Sequence, residues 1–348
     1  MPTRPKPAPF AGVEAALGPE HAGVMAALAE GLAAVDARFD AHLRSDLPPV
    51  RALVEHSERY RGKMLRPTMV LLSGLAAQSE SGGSMPGITP EHVLVGAVVE
   101  MIHVATLVHD DVLDEAATRR RSPTVNFLRG NETAVILGDY LISAAFHLCS
   151  QLPTQETALL IGAVTTRLCE GELLQLHHRE DYSLDDATYY EIVERKTAEL
   201  VGAACELGAA WSGAGPATRE RFRAFGVRLG VAFQIQDDLL DLTGQEAVVG
   251  KSVGKDLEKG KLTLPIIHHL RSADPVARGR TLRLLGAGAG AARDARGVLK
   301  ALEHTGSIEH ARREADRLAR EAAALMAGDS PALSLMRAAA DAVVRRSF

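Results

Sequence analysis

Two acidic clusters of identical spacing, Asp110-Asp111-Val112-Leu113-Asp114 and Asp237-Asp238-Leu239-Leu240-Asp241, each close an apolar run, and this pair constrains the fold of the chain most. A bare carboxylate in apolar surroundings is costly unless a cation compensates it. Leu94, Val98, Met101, Ile102, Ala105 and Val108 recur at helical spacing before the first cluster, and Leu229, Ala232, Phe233 and Gln236 lead into the second. Residues four apart share a helix face, so Asp110 with Asp114, and Asp237 with Asp241, form two carboxylate claws. Neither cluster has the alternate oxygen ligands and central glycine of a calcium loop. Oxygen-only donors with open positions suit magnesium, which keeps its waters and shares itself with phosphate oxygens. A single such cluster reads equally well as a solvated acidic face; its repetition in apolar context argues for metal.

Basic residues are grouped as a diphosphate requires. Arg119-Arg120-Arg121 follows the first claw, and Gly250-Lys251-Ser252-Val253-Gly254-Lys255 and Lys259-Gly260-Lys261 follow the second. Arginine grips phosphate oxygens bidentately, while lysine is a mobile point charge on a glycine-rich loop that reads as a lid. Gly62-Lys63-Met64-Leu65-Arg66-Pro67 offers two cations three apart, on one side if that stretch is helical. His103 precedes Asp110 by two helical turns and should share its face. His103, Lys196-Thr197 and Gln234 read by themselves as ordinary core or surface residues.

With 348 residues, 46% hydrophobic and only 4% aromatic, the chain can bury a large core of closely packed helices. Alternating strand patterns with hairpin turns are scarce. The claws must converge on one substrate, so the expectation is an all-α, single-domain helical bundle around a deep central cavity. Residues 1–15 read as a disordered tail and 16–348 as one catalytic domain. A net charge of -5 argues against nucleic acid. Cys149, Cys169 and Cys205 lack metal-ligand spacing and suit a reducing compartment. Glu100, His103, Asp139 and His147 interrupt the most apolar stretches, so no transmembrane segment is expected and the enzyme is placed in the cytoplasm.

Several stretches taken together resemble the trans-type isoprenyl diphosphate synthases, or polyprenyl synthetases. Gly62 to Pro67 is similar to their Gly-Lys-x-Leu-Arg-Pro element, and Leu107 to Arg120 to their first aspartate-rich (DDxxD) motif with its paired arginines. Gly138-Asp139, Gly171-Glu172-Leu173-Leu174-Gln175, Lys196-Thr197, Gln234 to Asp241, Gly250-Lys251 and Gly260-Lys261 follow in the family's order. The resemblance spans residues 45 to 270, with Arg61 where a glycine is common and Arg121-Ser122 where Gly-Lys is common.

The resemblance implies a prenyltransferase of isoprenoid biosynthesis, with the isoprenoid synthase fold and a homodimeric state. Lys63, Arg66, His103 and Arg120 would hold isopentenyl diphosphate. Arg119, Lys196, Thr197, Gln234, Lys251 and Lys261 would contact the diphosphate of an allylic prenyl diphosphate. Asp110, Asp111, Asp114, Asp237, Asp238 and Asp241 would bind about three magnesium ions per active site. The catalytic residues would be Asp110, Asp114, Asp237, Lys196 and Arg119. Ala105 and Thr106, about one turn deeper than Asp110, would set chain length. Aromatic residues there shorten the product in such enzymes, so two small ones imply a medium- or long-chain all-trans polyprenyl diphosphate unless Ile102, Ile136 or Phe146 forms a floor. The alternatives are a geranylgeranyl diphosphate synthase, a terpene cyclase, disfavoured by the intact second claw, and a non-catalytic regulatory subunit, disfavoured by the retained basic residues.

Overall fold

The computed structural model describes residues 18–58, 60–80, 87–120, 122–244, 254–286 and 294–345, and these are overwhelmingly helical. In chain order the helices are α1 (Ala22–His42), α2 (Pro48–Ser57), α3 (Leu65–Glu80), α4 (Pro90–Leu113), α5 (Val125–Arg129), α6 (Asn131–Cys149), α7 (Glu156–His177), α8 (Asp186–Val193), α9 (Glu199–Trp211) and α10 (Pro216–Thr243), followed by shorter helices to Val344. The chain divides into two compact units. One draws on Met1–Thr165, Leu200–Gly226 and Ala323–Ala339; the other on Thr166–Glu199, Val227–Ala322 and Ala340–Phe348. They interleave along the sequence, so no single cut separates them.

The first unit is built on α4. Thr89 and His92 close its N-terminus with a reciprocal capping box, and Pro90 pre-sets the first turn. Apolar side chains then cover α4 on nearly every face, which demands partners all round; α1, α3 and α6 supply them. Both α4 and α6 are long and apolar enough to cross a membrane, contrary to the expectation that charged residues exclude such a stretch. Burial accounts for α4, most of whose apolar window is enclosed by its neighbours. By contrast α6, with α5 before it, leaves Phe127, Leu128, Val135 and Ile136 open, Ile136 at 67% exposure.

Beyond α4 a short antiparallel pair, Thr118–Arg119 with Ser122–Pro123, interrupts the helices. Two residues per strand carry no alternation to read in a sequence. The pair holds Arg119 in register opposite Ser122 and leaves Arg120 at its turn with φ +51°.

The second unit packs Tyr189, Val193, Ile235, Leu239, Leu264, Ile267, Val298 and Leu302 into one core. Asp185 caps α8 by accepting from the Thr188 amide at 2.9 Å. After α8 the backbone widens into a π-helical turn over Glu194–Ala198 before α9 begins. Such bulges recur at functional sites, and this one presents Lys196 and Thr197.

Candidate active site

In the first unit, α4 carries His103, Ala105, Thr106, Asp110 and Asp111, and Asp114 caps its end. Asp110 and Asp114 are half-buried while Asp111 is buried, as the 100° turn between neighbours on a helix requires. One oxygen of Asp111 receives Nε and Nη2 of Arg119 at 2.9 and 2.8 Å. Its other oxygen is buried with no hydrogen-bond partner. Asn126 clamps the same turn by donating to the Asp111 and Ala116 carbonyls. The His109 ring lies against Gly138, with Nε2 3.1 Å from the Val135 carbonyl and 3.6 Å from Asp139, which gives the Gly138-Asp139 motif a structural task beside Asp110.

Lys63 and Arg66 do not share a helix as expected. Helix α3 starts at Leu65, and the buried Met64 turns the chain through φ +55° between them. Lys63 is exposed and Arg66 half-buried. Gly62 is explained by contact: a Cβ there would lie 2.2 Å from Nη2 of Arg120, so only glycine lets the guanidinium approach. Burial, then the charges of Arg66, Arg120 and Arg119, hold His103 well below the usual histidine range, so its imidazole is neutral. The carboxylate at the centre of this group is one that sequence reasoning had used only as a mark against a membrane span. Glu100 is 1% exposed and raised by burial against the pull of Arg66, Arg61 and Arg120.

Ala105 and Thr106 separate. Ala105 is fully buried, whereas Thr106 is half-buried, its hydroxyl donating to the His103 carbonyl at 2.8 Å. Of the two, only Thr106 has accessible surface.

In the second unit Lys196 donates to Oε1 of Gln175 at 2.9 Å and pairs with Glu172, while a Cβ on Gly171 would meet the Lys196 backbone nitrogen at 2.8 Å. The Gly171-Glu172-Leu173-Leu174-Gln175 motif is therefore the cradle of Lys196. Thr197 donates to Gln234 at 2.9 Å, and Gln234 in turn donates to Oδ1 of Asp238 at 2.8 Å. The Tyr189 hydroxyl donates to Oδ2 of Asp238 at 2.7 Å. Asp238 is thus buried with both oxygens engaged, and burial together with Asp256 pushes its carboxyl up to about 8. With its oxygens bonded to Tyr189 and Gln234, Asp238 ties the second claw to its own unit's interior. Asp237 and Asp241 remain half-buried; the Asp241 carbonyl accepts from Gly254 at 2.7 Å and its Oδ2 from the Asp256 amide at 3.1 Å. Lys261 sits 3.9 Å from Asp256. Arg121, Gly250 and Lys251 lie outside the described residues.

Residues 48–302 match the polyprenyl synthetase family. The octaprenyl diphosphate synthase of Escherichia coli is 31% identical over 307 residues, covering 86% of this chain and 90% of that protein. This chain belongs to the polyprenyl synthetase family. Its fold is accordingly close to solved members. A decaprenyl diphosphate synthase from Rhodobacter capsulatus superposes with TM-score 0.85 at 33% identity, over 93% of this chain and 98% of that one. A polyprenyl synthase from Caulobacter crescentus, solved with calcium and isoprenyl diphosphate, gives 0.83 at 29% identity, over 99% and 100%.

No group of three or more acidic, histidine or cysteine side chains is close enough to enclose a metal among the described residues. For a family that handles diphosphates this is the expected donor set. A hard cation that retains water and takes phosphate oxygens needs only one or two carboxylates from the protein. The half-buried Asp110 and Asp114, the unpartnered oxygen of Asp111, and the half-buried Asp237 and Asp241 fit such a cation. Tyr189, Glu172, Gln175, Glu100 and Arg61 carry contacts that sequence reasoning assigned to none of them, because each acts through a partner distant in the chain.

Proposed function

We propose that this trans-prenyltransferase condenses isopentenyl diphosphate with an allylic diphosphate, repeatedly, to give a medium- or long-chain all-trans polyprenyl diphosphate. The observation that carries the reading is the gathering of Arg66, Arg119 and Arg120 about a neutral His103 on the helix that ends in the first aspartate motif. Such a group holds a diphosphate anion, and family membership supports the same conclusion.

In this reading Lys63, Arg66 and Arg120 bind the diphosphate of isopentenyl diphosphate, and neutral His103 donates a hydrogen bond to it. Lys196, Thr197, Gln234, Lys251 and Lys261, with Arg119, bind the allylic diphosphate. Asp110, Asp111, Asp114, Asp237 and Asp241 hold magnesium, which when bound neutralises charge on the departing pyrophosphate. The allylic carbon–oxygen bond breaks, the double bond of isopentenyl diphosphate attacks the resulting allylic carbon, and the released pyrophosphate takes the proton lost from the adduct. Water must be excluded throughout, since it would trap the cation as an alcohol. The small side chain at Thr106 leaves the first turn above Asp110 unblocked, which supports extension beyond the fifteen-carbon stage.

The open α5–α6 face is assigned to a second copy of the chain, giving a homodimer; a monomeric mass by analytical ultracentrifugation would remove it. Burial of α4 within its unit and three unpaired cysteines support a cytoplasmic location. The deciding experiment supplies purified protein with magnesium, labelled isopentenyl diphosphate and a panel of allylic primers, then resolves the dephosphorylated products. A ladder reaching well past twenty carbons supports the whole reading. A stop at twenty keeps the chemistry and makes the enzyme a geranylgeranyl diphosphate synthase. No elongation with any primer refutes it in favour of a cyclase or a regulatory subunit.

A further inference from the structure

Arg61 stands where the resembling family commonly has glycine, yet its side chain is entirely buried. It donates to Asp36 at 3.1 Å, pairs with Asp40, and lies 4.1 Å over the ring of Phe39. Asp36 and Asp40 are four apart on α1, so one helix face supplies both carboxylates and the ring between them. A buried guanidinium is tolerated only with such compensation, and once compensated it is rigid. Arg61 is followed directly by Gly62, against which Arg120 packs, then by Lys63 and the strained Met64.

We propose that Arg61 is a positioning residue for the isopentenyl diphosphate half-site, pinning the Lys63 segment to α1 without touching substrate. The inference rests on the reading that Lys63, Arg66, His103 and Arg120 hold isopentenyl diphosphate, and it explains what anchors the segment that carries the first two of them.

The test is calorimetric titration of isopentenyl diphosphate alone into the full-length protein, beside steady-state kinetics and thermal melts. Arg61→Gly should weaken binding about tenfold, the scale on which outer partners of ligand-holding groups act. Arg61→Lys, which keeps charge but loses the fork, should fall between. In turnover, KM for isopentenyl diphosphate should rise while kcat and the allylic KM stay within about twofold. Should Arg61→Gly fail to fold, Arg61→Lys decides alone. Unchanged affinity or parallel loss in both substrates overturns the proposal. A wild type that binds isopentenyl diphosphate without elongating it refutes the function and leaves the positioning intact; a wild type that does not bind it overturns both.

Discussion

Phenylalanine at Thr106 tests where the growing chain runs. Thr106 lies four residues before Asp110, about 6 Å along the α4 axis, and is half-buried. Ala105 beside it is 0% exposed. A phenyl group at 106 therefore starts from a partly accessible position, whereas one at 105 must displace packed core atoms at a cost of about 1–3 kcal/mol. The two variants should part on both axes. Thr106→Phe should melt within about 1 °C of wild type, as accessible substitutions do, while ending elongation several five-carbon units earlier. Ala105→Phe should lose roughly 2–6 °C, with any shortening an indirect result of repacking. Reverse-phase chromatography of dephosphorylated products and a circular dichroism melt read both quantities from one preparation. An unchanged ladder in Thr106→Phe with a shortened one in Ala105→Phe would sink the assignment to Thr106, and no change in either would take the ruler away from α4 altogether.

Asp110→Ala and Asp237→Ala should each cut turnover by roughly 100-fold or more with the melt little changed, because each removes a half-buried oxygen donor; near-normal rates in either would refute the metal assignment. Asp238→Asn should behave differently, costing about 1 kcal/mol of stability in urea unfolding through its Tyr189 and Gln234 bonds but keeping turnover within about tenfold; loss matching Asp237→Ala would return Asp238 to the metal site. Gly62→Ala must drive the Arg120 guanidinium from its seat, so the KM for isopentenyl diphosphate should rise severalfold, and an unaltered KM would mean that this seat does not serve binding. His103 has a folded pKa far below its unfolded value of about 6.5, so its contribution to stability is present above that pH and lost as pH falls beneath it. His103→Gln should flatten the stability profile between about pH 6.5 and 5 in denaturant titrations; an unchanged slope would show the imidazole is not held neutral.

What was legible in the sequence follows a physical line. Helical period and the i, i+4 identity of the aspartates are local, so α4, α10 and the outer carboxylates could be read directly. The Gly171 to Gln175 stretch could be matched as a pattern but not understood, since its meaning is the Lys196 ammonium it holds from another helix. Likewise nothing local announces that Tyr189 bonds Asp238 or that Arg61 pairs with Asp36 and Asp40. The helical condition on Lys63 and Arg66 was not met, because Met64 adopts a left-handed conformation, which propensity assigns to glycine or asparagine rather than methionine. Ala105 and Thr106 are equally small in sequence, and only packing separates them.

The two aspartate motifs have the same spacing and different interiors. On any helix the second residue of the motif rotates about 100° away from the first and fifth, so in both motifs it turns inward. At Asp238 the interior answers with two neutral donors, a tyrosine hydroxyl and a glutamine amide, and burial raises the carboxyl above the usual carboxylate range. At Asp111 it answers with a charged group, the Arg119 guanidinium held by one oxygen. The two motifs therefore differ in what answers the inward carboxylate, a guanidinium in the first and two neutral donors in the second. Replacing Asp111 strips a charged Arg119 of its partner, whereas replacing Asp238 frees only a hydroxyl and an amide, so Asp111→Asn should cost more stability in urea unfolding than Asp238→Asn, and equal losses would show that the charge on Arg119 is compensated elsewhere.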